Sequence, residues 1–189
     1  MGKRKIVAGL SVSSIRQAQD AVKRYQGLLI YRCGELVNAL ADLGIQTAWA
    51  RIGSADKGFG KYITFQKNVS GLVTRTGVEC ILVASNTGVI RSEWQQADGT
   101  TKSADVSPIL MLEFGAGPIA GNPDAIKFHM GQGTFPGQTH ALDASGWWYK
   151  KVNDDTWYHS YGYKASMPMQ SAANKMISDI RQVARQVFG

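Results

Sequence analysis

Apolar residues recur every seven positions between residues 14 and 43, and this spacing predicts one long helix. The repeating residues are Ile15, Val22, Leu29, Leu36 and Leu43, with Ala18, Tyr25 and Leu40 near the intervening positions. Such residues fall on one face of an α-helix. Ser13 or Ser14 is predicted to cap its start, and Gly44 to supply the left-handed residue after its end. About 30 residues rise roughly 45 Å, so the helix either crosses its own sheet or reaches another subunit.

From Ile45 to about Ser107 the apolar period becomes two, which is typical of β-strands. In GVECILVAS, residues 77–85, both alternating faces are apolar, and this favours a central strand. Turn-forming residues at 86–88 and 98–99 predict a meander of antiparallel strands. The Gly-rich, charged segment 54–62 is predicted to be a mobile loop between strands.

Two more helices and a long loop follow. Ser107 is predicted to cap a short helix that has Pro108 in its first turn and ends at Gly115. The segment 115–146 lacks periodicity but keeps apolar anchors, which predicts a loop that packs on something. The last helix is predicted to have Ser166 as its cap and Pro168 in its first turn. Its apolar stripe consists of Ala172, Met176, Ile180, Val183 and Val187.

The segment GWWYKKVNDDTWYHSYG, residues 146–162, predicts an aromatic β-hairpin with residues 153–155 as its loop. In that register Lys151 pairs with Trp157. One face then holds Trp147, Tyr149, Trp157, His159 and Tyr161. The other face holds Trp148, Lys150, Tyr158 and Ser160. A two-residue loop would shift one strand by a position and mix the two sets.

Length and composition are consistent with one α+β domain, residues 1–189, in which residues 1–13 form a flexible basic start. The net charge of +7 admits an acidic partner, although the charge is dispersed along the chain. Cys33 and Cys80 are far apart in apolar runs and are interpreted as reduced, buried thiols. Neither an export signal nor an apolar run of the ~18 residues that a membrane span needs is found.

Catalytic and metal motifs are missing from the sequence. His129, His140 and His159 do not have metal-ligand spacing, and neither cysteine belongs to a CxxC pair. GAGPIA, residues 115–120, imitates a dinucleotide fingerprint, but Pro118 is incompatible with the helix that must begin there. A Ser145, His140, Asp143 triple lacks the context of a nucleophile elbow. We therefore expect a protein that is not an enzyme and needs no cofactor or metal.

Four features of the second half resemble a known family. They are LMLEFGAGP at 110–118, the Trp-rich hairpin, Gly162, and ASMPMQSA at 165–172 before the last helix. This pattern is similar to that of the minor tail-component or tail-completion proteins of long-tailed bacteriophages. The similarity covers roughly the last 80 residues, and Ala116 stands where the family usually has a threonine.

The resemblance implies a structural α+β protein with a long N-terminal helix and a C-terminal helix packed on an antiparallel sheet. It implies a homomeric ring, sixfold by analogy, that is assembled in the bacterial cytoplasm and completes the tail of the virion at the head–tail joint. Its partners would be copies of itself, other neck and tail proteins, and DNA as passing cargo, without a membrane. Predicted contact residues are Phe114, Ile119, Phe128, Phe135, Trp148, Lys150 and Tyr158.

Two alternatives remain open. One is another neck component, a head-closure or tail-terminator protein. The other is a nucleic-acid-binding module that uses Trp148, Lys150, Lys151 and Tyr158, because aromatic rings stack on bases and lysines meet phosphates.

Overall fold

The computed structural model describes residues 11–55, 58–74, 77–95, 98–117, 119, 144–151 and 154–189. Long helices at both ends of this part of the chain enclose antiparallel strands, which confirms the predicted α+β class. The helices are α1 (Val12–Ala55), α2 (Pro108–Phe114) and α3 (Pro168–Phe188). The strands are β1 (Ile63–Thr74), β2 (Gly77–Asn86), β3 (Ile90–Gln95), β4 (Thr101–Val106), β5 (Trp147–Lys151) and β6 (Trp157–Ser160).

Helix α1 is longer at both ends than the sequence pattern predicts. Ser11, not Ser13 or Ser14, caps it, since the Ser11 hydroxyl oxygen accepts the backbone N–H of Ser14 at 3.2 Å. Residues 12 and 13, expected in a flexible start, therefore belong to the helix. The helix continues to Ala55, so the predicted end at Gly44 and the predicted strand character of residues 45–55 are wrong.

Gly44 serves as a point of close approach inside α1 and not as a helix end. A Cβ atom there would lie 2.9 Å from Met176 Sδ and 3.1 Å from Leu82 Cδ2. The missing side chain thus lets α3 and β2 pack directly on the backbone of α1. Because these contacts come from distant parts of the chain, they override the local tendency of glycine to end a helix.

Strands β1 and β2 form a two-stranded antiparallel sheet, with Phe65 opposite Ala84 and Lys67 opposite Leu82. The prediction that β2 is central is wrong within the described part of the chain, where β1 is its one neighbour. One face of β2 turns towards the helices, whereas Ile81 on the other face is 50% exposed. Lys67 extends to α1 and forms a 2.5 Å ion pair with Asp42.

The predicted turn at 86–88 does not join two paired strands; it leads into a second sheet with the order β4-β3-β5-β6. Asn86 fixes this change of direction. Its side chain accepts the backbone N–H of Ile109 at 3.1 Å and donates to the Ser107 hydroxyl at 2.6 Å. The turn at Asp98 and Gly99 is confirmed between β3 and β4, with the Asp98 carboxylate accepting the Thr100 N–H.

The core lies where the end of α1, the start of β1 and helix α2 meet. Ile52, Ile63, Ile109 and Leu112 are buried there, and each contributes about 1.5 to 3 kcal/mol relative to an exposed side chain. Phe59 packs against this core from the segment 54–62, which connects α1 to β1 and not two strands. Cys33 and Cys80 are free thiols, as predicted, but they are half-buried and not fully buried.

Candidate assembly surfaces

Helix α2 forms as the sequence predicts. Its cap is Ser107, whose hydroxyl oxygen accepts the Leu110 N–H at 3.4 Å, and Pro108 occupies the first turn. The helix ends at Gly115, whose φ of 73° is in the range that glycine adopts without strain. Local chemistry therefore sets where this short helix begins and ends, and the Asn86 side chain bonds its first turn from β2.

Glu113 of α2 caps helix α3 from outside. Its carboxylate oxygens accept the backbone N–H groups of Met169 at 2.7 Å and Gln170 at 3.0 Å. The predicted cap, Ser166, instead donates its hydroxyl to the Leu112 carbonyl at 3.3 Å. The residue before α3 is Met167, which has a left-handed φ of 51° and gives no side-chain cap. The first N–H groups of α3 thus depend on a carboxylate from another helix.

Burial raises the pKa of the Glu113 carboxyl above its ordinary value of 4.5. The two backbone N–H groups favour the charged form and oppose this effect, but desolvation is the larger cause. The ionised carboxylate therefore caps α3 at a cost in desolvation free energy.

A backbone bridge joins the exit of α2 to the exit of β6. Ala116 and Tyr163 exchange two N–H···O bonds of 2.8 and 2.7 Å, and the Tyr163 hydroxyl donates to the Ala55 carbonyl at 2.7 Å. Gly162 lies against this bridge with a φ of 101°, and a Cβ atom there would collide with the Ala116 carbonyl oxygen. We call Leu112, Glu113, Ala116, Gly162, Tyr163 and Ser166 the α2–α3 joint.

The aromatic hairpin exists, but its predicted register is wrong by one residue. Trp148 is opposite His159, and Lys150 is opposite Trp157, where Lys151 had been expected. The Asp154 carboxylate accepts the Thr156 N–H and the Tyr158 hydroxyl, both at 2.8 Å, so Thr156 belongs to the turn and not to the strand. Each face of the hairpin consequently contains residues from both of the predicted sets.

The corrected register creates an exposed aromatic face, which we define as Trp148, Trp157, His159 and Tyr161. The His159 ring lies 4.5 Å from the Trp148 ring and 4.5 Å from the Tyr161 ring, centroid to centroid. Trp148 remains 65% exposed and Tyr161 56% exposed. Tyr158 lies on the opposite face, so the structure separates Tyr158 from Trp148, although the two had been predicted to share a face.

The other predicted contact residues are dispersed. Phe114 is half-buried at the end of α2, and Ile119 is exposed just beyond the joint. Lys150 is placed in β5 by its backbone pairing with Trp157 and Gln95. Phe128 and Phe135 lie outside the described residues. Most of the predicted assembly loop, residues 115–146, lies outside them as well.

Residues 12–31 of α1, which we call the free half, form a surface that the predicted contact set omitted. Its large apolar side chains are exposed. A continuous run of half-buried and buried residues begins at Arg32, in the part of the helix against which α3 and β2 pack. The heptad spacing of Ile15, Val22 and Leu29 was the sequence signal for this surface.

A second omitted surface is an open groove of about 520 Å³ between α1, β2 and α3. Its lining is uncharged and includes Val37, Leu40, Cys80, Ile81, Met176 and Ile177. Ile177 at its rim is 72% exposed. Burial raises the pKa of the Cys80 thiol, in agreement with the apolar character of the groove.

Within the described residues, no three His, Cys, Asp or Glu side chains are grouped so that they could hold a metal ion. The helices of that same part are each too short or too polar to cross a membrane. No protein-family model matches the chain, and no curated protein or solved structure is significantly similar to it.

Proposed function

We propose that this chain is a structural virion protein of a long-tailed bacteriophage, which completes the tail at the head–tail joint. It assembles as a homomeric ring through which DNA passes, and its neighbours are other neck and tail proteins. Head closure and tail termination are related roles that the same surfaces would serve.

The observation that carries this proposal is the α2–α3 joint. The segments that resemble tail-completion proteins, LMLEFGAGP, Gly162 and ASMPMQSA, come together there in three dimensions. Glu113 of the first segment holds the start of the helix that begins inside the last segment, and Gly162 packs on Ala116. The resemblance therefore corresponds to one interlocked unit and not to scattered similarities.

The exposed surfaces also support an assembly role. Large exposed apolar patches on a protein surface are typical of interfaces. Here the free half of α1, the groove and the aromatic face present different shapes, so one copy offers different surfaces to its neighbours. A ring requires such heterologous contacts, whereas a twofold dimer uses one surface twice.

Loss of the protein from the phage that encodes it tests the proposal. We expect a nonsense mutation at the Gln17 codon to yield filled heads and separate tails in electron micrographs, because the connection between head and tail cannot be completed. The wild-type chain supplied from a plasmid is the control and should restore joined particles. Fully joined, infectious virions without this protein would refute the proposal.

Native mass spectrometry gives an independent measurement. Ring assembly predicts species at one fixed integral multiple of 20.6 kDa at high protein concentration or in isolated necks. A continuous series of multiples would instead indicate an open polymer, which contradicts a closed ring.

The aromatic face favours a second candidate function, the binding of single-stranded nucleic acid. Trp148 and Tyr161 are exposed side chains on one side of the sheet, and each base stacked on such a ring contributes about 1 to 3 kcal/mol. The net charge of +7 adds a favourable long-range attraction to phosphates.

Fluorescence anisotropy with a labelled oligonucleotide at low salt tests this second candidate. The Trp148→Ala, Lys150→Ala double variant should lose binding, since it removes a stacking ring and a cation. The matched control is the Tyr31→Ala, Lys23→Ala double variant, which removes an exposed ring and a cation from α1 and should bind as wild type does. Absence of wild-type binding at low salt removes nucleic acid as a ligand.

A further inference from the structure

In the free half of α1, an apolar stripe is separated from the charged residues. Ile15, Ala18, Val22, Tyr25 and Leu29 form a stripe along it, which we call the apolar stripe. At 100° per residue, the charged residues fall at least about 120° around the helix from the centre of this stripe. These charged residues are Arg16, Asp20, Lys23 and Arg24. A second copy of the chain could therefore cover the stripe without burying a charge.

Helix α3 cannot cover the apolar stripe within one chain. It has 21 residues against 44 in α1, and it begins beside the end of α1, where the joint holds Ala55. Met176 packs on Gly44, so α3 runs back along α1 towards Arg32. The helix ends at Phe188, about 18 Å beyond Met176, which brings its end level with Arg32 and short of the stripe.

The chain between the joint and the aromatic hairpin is too short to reach the far end of the stripe. Ile15 is 40 residues from Ala55, or about 60 Å along the helix axis. The stretch 118–143 starts and ends at the joint, beside Ala116 and Gly146. Fully extended out and back, it reaches roughly 45 Å. The stretch 118–143 therefore cannot cover the stripe around Ile15.

The groove is the matching surface on another copy. It is concave, uncharged and lined by three elements, whereas the stripe is convex and uncharged. A chain cannot place its own stripe in its own groove, because both belong to the same continuous helix. Val22 lies 15 residues, or about 22 Å, from Val37 at the groove wall.

We propose that the apolar stripe of one copy docks in the groove between α1, β2 and α3 of the next copy. This contact is heterologous, so each copy gives its stripe to one neighbour and receives a stripe from the other. The inference rests on the proposed assembly function and specifies the surfaces that perform it.

Cross-linking with a short bismaleimide tests the contact, because Cys80 is a native thiol in the groove. The test variant carries Val22→Cys and Cys33→Ser. Docking brings residue 22 close to Cys80 of the next copy, and the products should form a ladder of dimers, trimers and larger species. We expect a yield at least about tenfold above the control, given the high effective concentration in a docked pair.

The matched control carries Arg24→Cys and Cys33→Ser, with a thiol of the same helix turned to the charged side. Adding Cys80→Ser to the test variant should abolish the ladder. Dimers that persist without Cys80 would mean that two stripes pair with each other, which overturns the groove as the seat. A yield equal to the control at every protein concentration overturns the docking.

Maleimide labelling of the monomer tests whether a segment of the same chain covers the apolar stripe. If residue 22 is protected while the chain remains monomeric, a segment of the same chain covers the stripe, and the proposal is overturned. Rings seen by native mass spectrometry without a link from residue 22 to Cys80 would reject this interface and leave the proposed function standing. Cross-linked ladders together with joined virions that lack the protein would support this interface and refute the proposed function.

Discussion

The two halves of α1 have similar apolar spacing but very different surroundings. Residues 32–55 are packed by α3, β2 and the core, and Ala48 and Ile52 are fully buried. Residues 12–31 carry an equivalent series of apolar residues that stay exposed. Nucleating a helix is unfavourable, whereas extending an existing helix is not, so the free half is stabilised by propagation from the packed half. Heptad spacing thus indicates that a helix has a partner, but not whether that partner belongs to the same chain.

The largest effect should come from a substitution in the α2–α3 joint, because this joint holds the Ala55 end of α1 and the start of α3, which packs on residues 32–55. Gly162→Ala introduces a Cβ atom into the Ala116 carbonyl at a left-handed φ, and we expect it to lower the free energy of unfolding by at least about 4 kcal/mol. Urea denaturation measures this loss. Hydrogen exchange should show protection disappearing in residues 32–55 and, because the free half propagates from the packed half, in residues 12–31 as well.

Gly58→Ala is the matched control for that variant. Gly58 has a similar φ of 92°, but no atom lies within 4 Å of the position that a Cβ atom would take there. It should cost only the ~1–2 kcal/mol of the left-handed conformation. Equal losses in both variants would mean that backbone conformation, and not the collision at the joint, determines the effect.

The same substitution in each half of α1 should give the next largest difference. Ile52→Ala creates a cavity in the core and is expected to cost about 2–5 kcal/mol. Ile15→Ala in the free half should stay within about 0.5 kcal/mol when the chain is monomeric. Both are measured by denaturation at low protein concentration. A large loss from Ile15→Ala would contradict the exposure of the free half.

The two halves also contain glycines with different neighbours. Gly27→Ala meets no atom within 4 Å and should gain about 0.5–1 kcal/mol of helix stability. Gly44→Ala makes the same conformational gain but pushes against Met176 Sδ and Leu82, so we expect the gain to be cancelled. Helix content by circular dichroism and local hydrogen exchange measure both. A gain at Gly44 equal to that at Gly27 would show that Met176 moves aside without cost.

The smallest expected effect is a change in pH dependence at the start of α3, the helix that covers the packed half. Because the folded pKa of Glu113 is raised, the folded state retains a proton that the unfolded state loses above 4.5. The stability contribution of this carboxyl is therefore complete below 4.5 and falls as pH rises through the raised pKa.

Glu113→Gln should remove this step from a plot of unfolding free energy against pH, measured between about pH 4 and 7. Glu93→Gln changes an exposed carboxylate and is the control, which should leave the step in place. If the profile of Glu113→Gln is parallel to that of wild type, the titration of Glu113 does not contribute to stability.

Sequence reasoning succeeded where neighbouring residues determine the structure. Ser107, Pro108 and Gly115 define α2 by local capping and backbone conformation, and the alternation in residues 77–85 correctly predicts β2. It failed where distant segments decide. Gly44 has a partner in α3, and Glu113 caps a helix more than fifty residues later. The hairpin register was missed for a local reason, because the Asp154 side chain bonds Thr156 and Tyr158 and places Thr156 in the turn.

The predicted contact residues also show that sequence reasoning fails where tertiary packing decides. Trp148 is exposed as expected, but the exposure of the free half of α1 follows from the shorter length of α3, and the groove follows from the packing of α1, β2 and α3. The exposed face of β2 was interpreted as buried because apolar residues at a surface and in a core look alike in sequence.

The continuous helix α1 also sets the distance between the aromatic face and the tip of the free half. Tyr163 holds the Ala55 end next to the strand exit that carries Tyr161, while Ile15 stands about 60 Å away along the axis. The aromatic face and the tip of the free half are consequently no nearer than roughly 40 Å, a rigid spacing greater than the radius of a compact domain of this size. A partner that spans less than about 40 Å therefore cannot contact both surfaces at once.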